Sequence, residues 1–288
     1  MNIKEAVNLA RSEWRCFVRS GFLSYLAVAH LIIVAVAVLA SWPSTLVPGS
    51  PGMVLTWNWY NYVMLATLTY IALAIAADAA PIPDRIAPYE WVYYDVLRPA
   101  DVLAGRFVAT LGVPVLLIAL SLPLGILAHA ARPVPFSEVA GAAAVIFTLL
   151  LVSAAAGSFV SAAVSEPALR AVAANALYLA GLALFLVAGG WIAPSPEQSL
   201  ARLNPLGAMH HFLERDLSAP GAAPFPWIGW ALLYGTALLL FLMLAHSRLR
   251  QWRSPQSPPA GRRRTEGGTG LSEKESVEAS SAARGERA

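Results

Sequence analysis

Residues 139–192 read VAGAAAVIFTLLLVSAAAGSFVSAAV, then SEPALR, then AVAANALYLAGLALFLVAGGWI. Neither long run holds an Asp, Glu, Lys or Arg, and only residues 165–170 part them. As a helix rising ~1.5 Å per residue, each run is long enough to cross the ~30 Å of hydrocarbon in a bilayer. So short a connection closes the two into a tight antiparallel hairpin. A rod that is apolar all round is buried on every side or stands in lipid. The hairpin therefore sets the expected fold class: all-α, polytopic and membrane-integral.

Working outward, four further runs reach spanning length, at residues 21–40, 57–77, 107–128 and 227–246, which with 139–164 and 171–192 makes six expected spans. Over all 288 residues, 57% are hydrophobic and 13% charged, about half the ~25% charged share of soluble domains. Trp57, Trp59, Tyr60 and Tyr62 open the second span and Trp227 and Trp230 the sixth, as suits rings at the headgroup layer. Val38-Leu39-Ala40 resembles a signal-peptide cleavage site. The polar lead containing Glu5 and Glu13, and the length of the run after it, favour an uncleaved span.

The net charge of +3 is spread along the span boundaries. It forms no basic face interleaved with aromatics, so nucleic acid is not an expected partner. One cysteine, Cys16, allows neither an intrachain disulfide nor a cysteine-cluster metal site. With the N-terminus inside, Lys4, Arg11, Arg15, Arg19, Arg85, Arg98, Arg106, Arg170, Arg248, Arg250 and Arg253 fall on the cytoplasmic side, against Arg132, Arg202 and Arg215 outside. The positive-inside rule then puts both termini in the cytoplasm of a plasma (inner) membrane protein. Residues 1–253 form the membrane domain. Residues 254–288, rich in Pro, Gly, Ser, Glu and Arg, read as a disordered tail whose Arg262, Arg263 and Arg264 could meet anionic lipid.

Before the first span, residues 1–19 read as an amphipathic interfacial helix. Ile3, Ala6, Val7, Ala10, Trp14, Phe17 and Val18 fall on one side, with Lys4, Asn8, Arg11, Ser12, Arg15 and Arg19 on the other. The charged loop 78–106 carries a short helix expected over 89–97 and ended by Pro99, with an aromatic-plus-charge surface of Tyr89, Glu90, Trp91, Tyr93, Tyr94, Asp95 and Arg98. Pro114 and Pro123 interrupt the third span. Ser153, Gly157 and Ser161 recur every four residues, a small-residue stripe for close helix packing within one subunit or between two. Outside, residues 193–226 form a long Pro-rich loop with His210 and His211. Adjacent helical histidines point about 100° apart and seldom share one ion, so no metal is expected.

In order along the chain, these features resemble the permease subunits of ABC-2-type ABC transporters. Those permeases carry a glutamate, a Leu-x-x-Pro-like turn and a Gly-Lys or Gly-Arg step entering the third span. Glu90, Leu97, Pro99, Gly105 and Arg106 stand at comparable places, and Asn204-Pro205 matches an Asn-Pro step between spans five and six. Asp101 departs from the pattern. The resemblance implies a coupling helix made of Tyr89, Glu90, Tyr93, Leu97, Arg98, Pro99 and Asp101, docked on a separate cytoplasmic ATPase subunit. It also implies an outer-gate loop at Asn204 and Pro205, a second permease subunit as partner, and export as the direction. No G-x-x-x-x-G-K-[ST] phosphate loop occurs, so this chain is not expected to hydrolyse ATP or to hold a cofactor of its own.

Rival readings are a secondary transporter, a non-transport scaffold and an intramembrane enzyme. Coupled carriers place ionisable groups at midplane, where only His30 stands here, and a lone histidine more often bonds a neighbouring helix. An enzyme would need Ser158 and His246 within mutual reach.

Overall fold

Proline marks where the helices begin. A computed structural model of the chain describes residues 2–43, 51–79, 85, 86, 88–93, 97–131, 134–188, 203–213 and 225–253. Helices α3 (Pro51–Ala76), α4 (Pro88–Tyr93), α5 (Pro99–Ala131), α7 (Pro167–Ala188) and α8 (Pro205–Leu213) all open on proline. There the missing N–H removes no helical bond and the fixed φ already suits the helix. α1 (Ile3–Arg19), α2 (Phe22–Ala40), α6 (Phe136–Ala163) and α9 (Trp227–Arg253) complete the set among the described residues, which contain no strand.

Six of these helices are long and apolar enough to cross a membrane: α2, α3 from Val54, α5, α6, α7 to Leu186, and α9 to Trp252. The fold is all-helical, as the sequence leads one to expect. Two boundaries differ. The third spanning helix starts at Pro99, eight residues before the apolar run at Phe107, because Asp101 and Arg106 are buried by partners. α4 is described over Pro88–Tyr93, and Leu97, placed in that helix by the sequence, is a bend outside it. α5 runs unbroken through Pro114 and Pro123.

Glycine decides how closely the rods approach. At Gly157 of α6 an added Cβ would collide with the Leu73 carbonyl and the Ala76 side chain of α3, so these two helices meet backbone to backbone. At Gly105 of α5 a Cβ would stand 2.7 Å from the Ala6 carbonyl oxygen of α1. α3 and α6 form the centre, flanked by α5 and α9, around Leu68, Leu117 and Leu150, all fully buried. α7 packs lightly at the edge.

α1 buries Ala6, Leu9, Glu13 and Phe17 against α5, a seam at helical spacing. Lys4, Asn8, Arg11, Ser12, Arg15 and Arg19 are all exposed, and so are Ile3, Val7 and Val18. The protein-facing seam is therefore narrower than the apolar side read from the sequence, and it includes an acid.

Candidate functional site: a buried ion cluster beside α4

The site begins where α3 ends. Ala79 N–H bonds the Ala74 carbonyl at 3.0 Å and Asp78 N–H bonds that of Ile75 at 3.2 Å, the paired closure of a Schellman turn. Its left-handed position falls on Asp78, with φ +53°, where glycine is usual. A side chain there costs about 1–2 kcal/mol, so the carboxylate has to be held by its surroundings.

Those surroundings are three guanidinium groups. Arg106 Nη2 stands 2.5 Å from Asp78 Oδ1 and its Nη1 donates to Oδ2 at 3.0 Å, a two-pronged bond. Arg85 Nη1 lies 2.8 Å from Oδ1, and Arg170 Nη1 lies 3.5 Å from Oδ2. The Ser161 hydroxyl also donates to Oδ2. Glu13 of α1 supplies the second carboxylate, 2.7 Å from Arg85 Nε and 3.4 Å from Arg106 Nε. The five charged side chains are all at most 8% exposed. Burial alone would raise the Asp78 carboxyl, but the charges of Arg106 and Arg85 and the Ser161 bond together hold it below the usual carboxylate range. Burial and the neighbouring Arg106 push the Arg85 guanidinium down, against the pull of Asp78 and Glu13.

The cations also close helix ends. Arg85 Nη1 donates to the Ile75 carbonyl of α3 at 2.8 Å, and its guanidinium lies 5.1 Å from the Phe17 ring centre. Arg170 donates to the Val164 and Ser165 carbonyls beyond α6, at 2.7 and 2.8 Å. One knot thus fastens α1, α3, α5, α6 and α7. In the sequence Glu13 stands out only as part of the polar lead before the first span. Its place between Ala6 and Phe17 on the seam of α1 was the available signal.

α4 abuts the same end of the bundle. Val92 is fully buried among Leu9 of α1, Val102 of α5, Ala162 of α6, and Ala245 and Leu249 of α9. Of the residues expected to couple, Arg98 is exposed, and Glu90 and Leu97 are half-buried. Pro99 and Asp101 are buried, with Asp101 Oδ1 accepting the Asn2 N–H at 2.6 Å and so tethering the start of α1. Tyr89 and Tyr93 belong to α4, but their side chains lie outside the described residues, as do Tyr94 and Asp95. Of the small-residue stripe, Ser161 joins the knot, Gly157 seats α6 on α3 within this subunit, and Ser153 lines a cavity beside α7.

At the other end, Asn204 and Pro205 form a helix cap. The Asn204 Oδ1 accepts the Leu206 N–H at 3.0 Å, its Nδ2 donates to the Phe185 carbonyl of α7, and Pro205 is the first residue of α8. His211 is buried against Phe212 and Phe225 while His210 is exposed, and no group of three His, Cys, Asp or Glu fit to hold a metal occurs among the described residues. His30 Nε2 lies 3.1 Å from Ser121 Oγ, joining α2 to α5. The Ser158 hydroxyl donates to Ala154 of its own helix at 2.8 Å. Glu214, Arg215, Asp216 and the tail from Ser254 lie outside the described residues.

No family model matches the sequence, and no curated protein matches it.

Proposed function

We propose that this chain is the membrane-spanning permease subunit of an ATP-driven exporter, energised by a separate cytoplasmic ATPase that docks on α4. One observation carries the reading. α4 is a short helix wedged by Val92 where α1, α5, α6 and α9 converge, next to the ion knot that fastens α1, α3, α5, α6 and α7. A push on α4 is delivered to α5 through Val102. Buried charges held by two or more partners do not slip singly, so the push moves helices as bodies. The resemblance in order to ABC-2-type permeases points the same way.

In this reading α4 faces the cytoplasm, both termini are cytoplasmic and the membrane is the plasma membrane. α1 lies in the inner headgroup layer, with Ile3, Val7 and Val18 toward acyl chains and Lys4, Arg11, Arg15 and Arg19 toward phosphates. A second permease subunit completes the path. The test is charge reversal at both E90K and R98E. Transport-linked ATP turnover is expected to vanish while membrane insertion stays intact, and unchanged turnover would remove α4 from the mechanism.

A further inference from the structure

A cavity of about 600 Å³ lies between α3, α6, α7, α8 and α9. We propose that it is a binding site for one hydrocarbon chain of a membrane phospholipid, entered sideways past α7. The inference does not depend on the ATPase reading.

Four observations carry it. The wall is overwhelmingly apolar, built from residues such as Val63, Leu149, Val152, Leu182 and Phe241. An apolar cavity of this kind takes hydrocarbon rather than water, and a volume of ~150 Å³ already accepts benzene. Next, the site is long. α3 lines it from Leu55 to Leu73, 18 residues apart, or about 27 Å of rise. A cavity of that length, running along a span, fits an extended alkyl chain.

The third observation is the doorway. Gly181 lines the cavity from α7, and a side chain built there meets no atom within 4 Å. α7 is also the most lightly buried of the six apolar helices, with Leu179 and Leu184 exposed. The surroundings of that gap in a membrane are lipid tails. Last, polarity is concentrated toward one end of the α3 wall, where Asn58, Trp59 and Tyr62 stand within two turns of Leu55. Amphipathic aromatics of this sort sit where chain meets headgroup, so the phospholipid head belongs at that end and the chain runs along α3 toward Leu73.

The full-length protein is reconstituted in phosphatidylcholine nanodiscs doped with a phosphatidylcholine bearing a diazirine on its acyl chain, photolysed and mapped by peptide mass spectrometry. Adducts are expected on Val152, Ala156 and Leu182 inside the cavity as well as on the exposed Val28, Ile32 and Val36 of α2. G181F fills the cavity from α7 and is expected to lower the inner adducts about tenfold while leaving those on α2 unchanged. S153F fills it from the opposite wall and gives the same reading should G181F fail to fold, as judged by gel filtration. Adducts confined to exposed faces in the unsubstituted protein would overturn the proposal. Inner adducts that appear in nanodiscs holding one copy but are lost in nanodiscs holding two would overturn it in favour of a second copy.

Discussion

Arg106 Nη2 of α5 stands 2.5 Å from Oδ1 of Asp78, the residue that turns the chain out of α3 in a left-handed conformation. The pair joins two positions 28 residues apart and is the centre on which Glu13, Arg85, Ser161 and Arg170 converge. A buried ion pair contributes little net stability by itself, but removing one partner strands the others.

That asymmetry gives the first prediction. D78N should lower stability by about 3–5 kcal/mol, because three guanidiniums lose their shared counter-charge. The check is the melting midpoint in detergent, read by gel filtration after heating. D78G relieves the backbone cost at the turn yet should be nearly as unstable as D78N. A D78G protein as stable as the unsubstituted one would mean that the backbone, and not the knot, matters at this position.

Acid should act through the same carboxylate. Its folded pKa is depressed by Arg106 and Arg85 against the effect of burial. A depressed acid contributes stability that is fully present above its unfolded pKa near ~3.9 and is lost as pH falls through the folded value. The difference in melting midpoint between the unsubstituted protein and D78N should therefore be constant from neutrality down to about pH 5 and shrink below about pH 4. A difference that shrinks above pH 6 would contradict this assignment.

Close backbone approach supplies a third prediction. G157L forces a side chain into the Leu73 carbonyl and the Ala76 methyl and should cost about 3 kcal/mol. The same change at Gly235, where a Cβ meets nothing within 4 Å, should leave folding yield unchanged. Equal yields for the two variants would refute the α3–α6 contact.

His30 and Ser121 should behave as a structural pair. H30A and S121A are each expected to cost about 0.6–2 kcal/mol, and the double variant no more than the larger single loss. Transport that loses its dependence on a proton gradient in H30A would instead favour a secondary transporter.

The six rods were legible because apolar runs of spanning length have few other fates. The cap at Asn204-Pro205 was visible as a step in the chain, though not its role, which depends on the Phe185 carbonyl of α7. The knot was hidden for a physical reason. Glu13 and Arg85 are 72 residues apart, and Asp78 and Ser161 are 83 apart. Local periodicity carries no information about such pairings. By their positions at span ends Arg85, Arg106 and Arg170 count as inner-side charges, and that description leaves open whether they face water or one another. The start of α5 at Pro99 escapes hydropathy for the same cause, since hydropathy cannot see that Arg106 pairs with Asp78 and Glu13 and that Asp101 accepts the Asn2 N–H.

The permease reading requires a separate ATPase bound to this chain through α4. The direct measurement is affinity purification of the full-length protein from its native membrane in mild detergent, followed by an assay for nucleotide hydrolysis in the eluate. Co-elution of an ATP-hydrolysing subunit that is lost in the E90K/R98E protein is the predicted result. An eluate free of any nucleotide-binding subunit, or one whose ATPase stays bound to E90K/R98E, would contradict it.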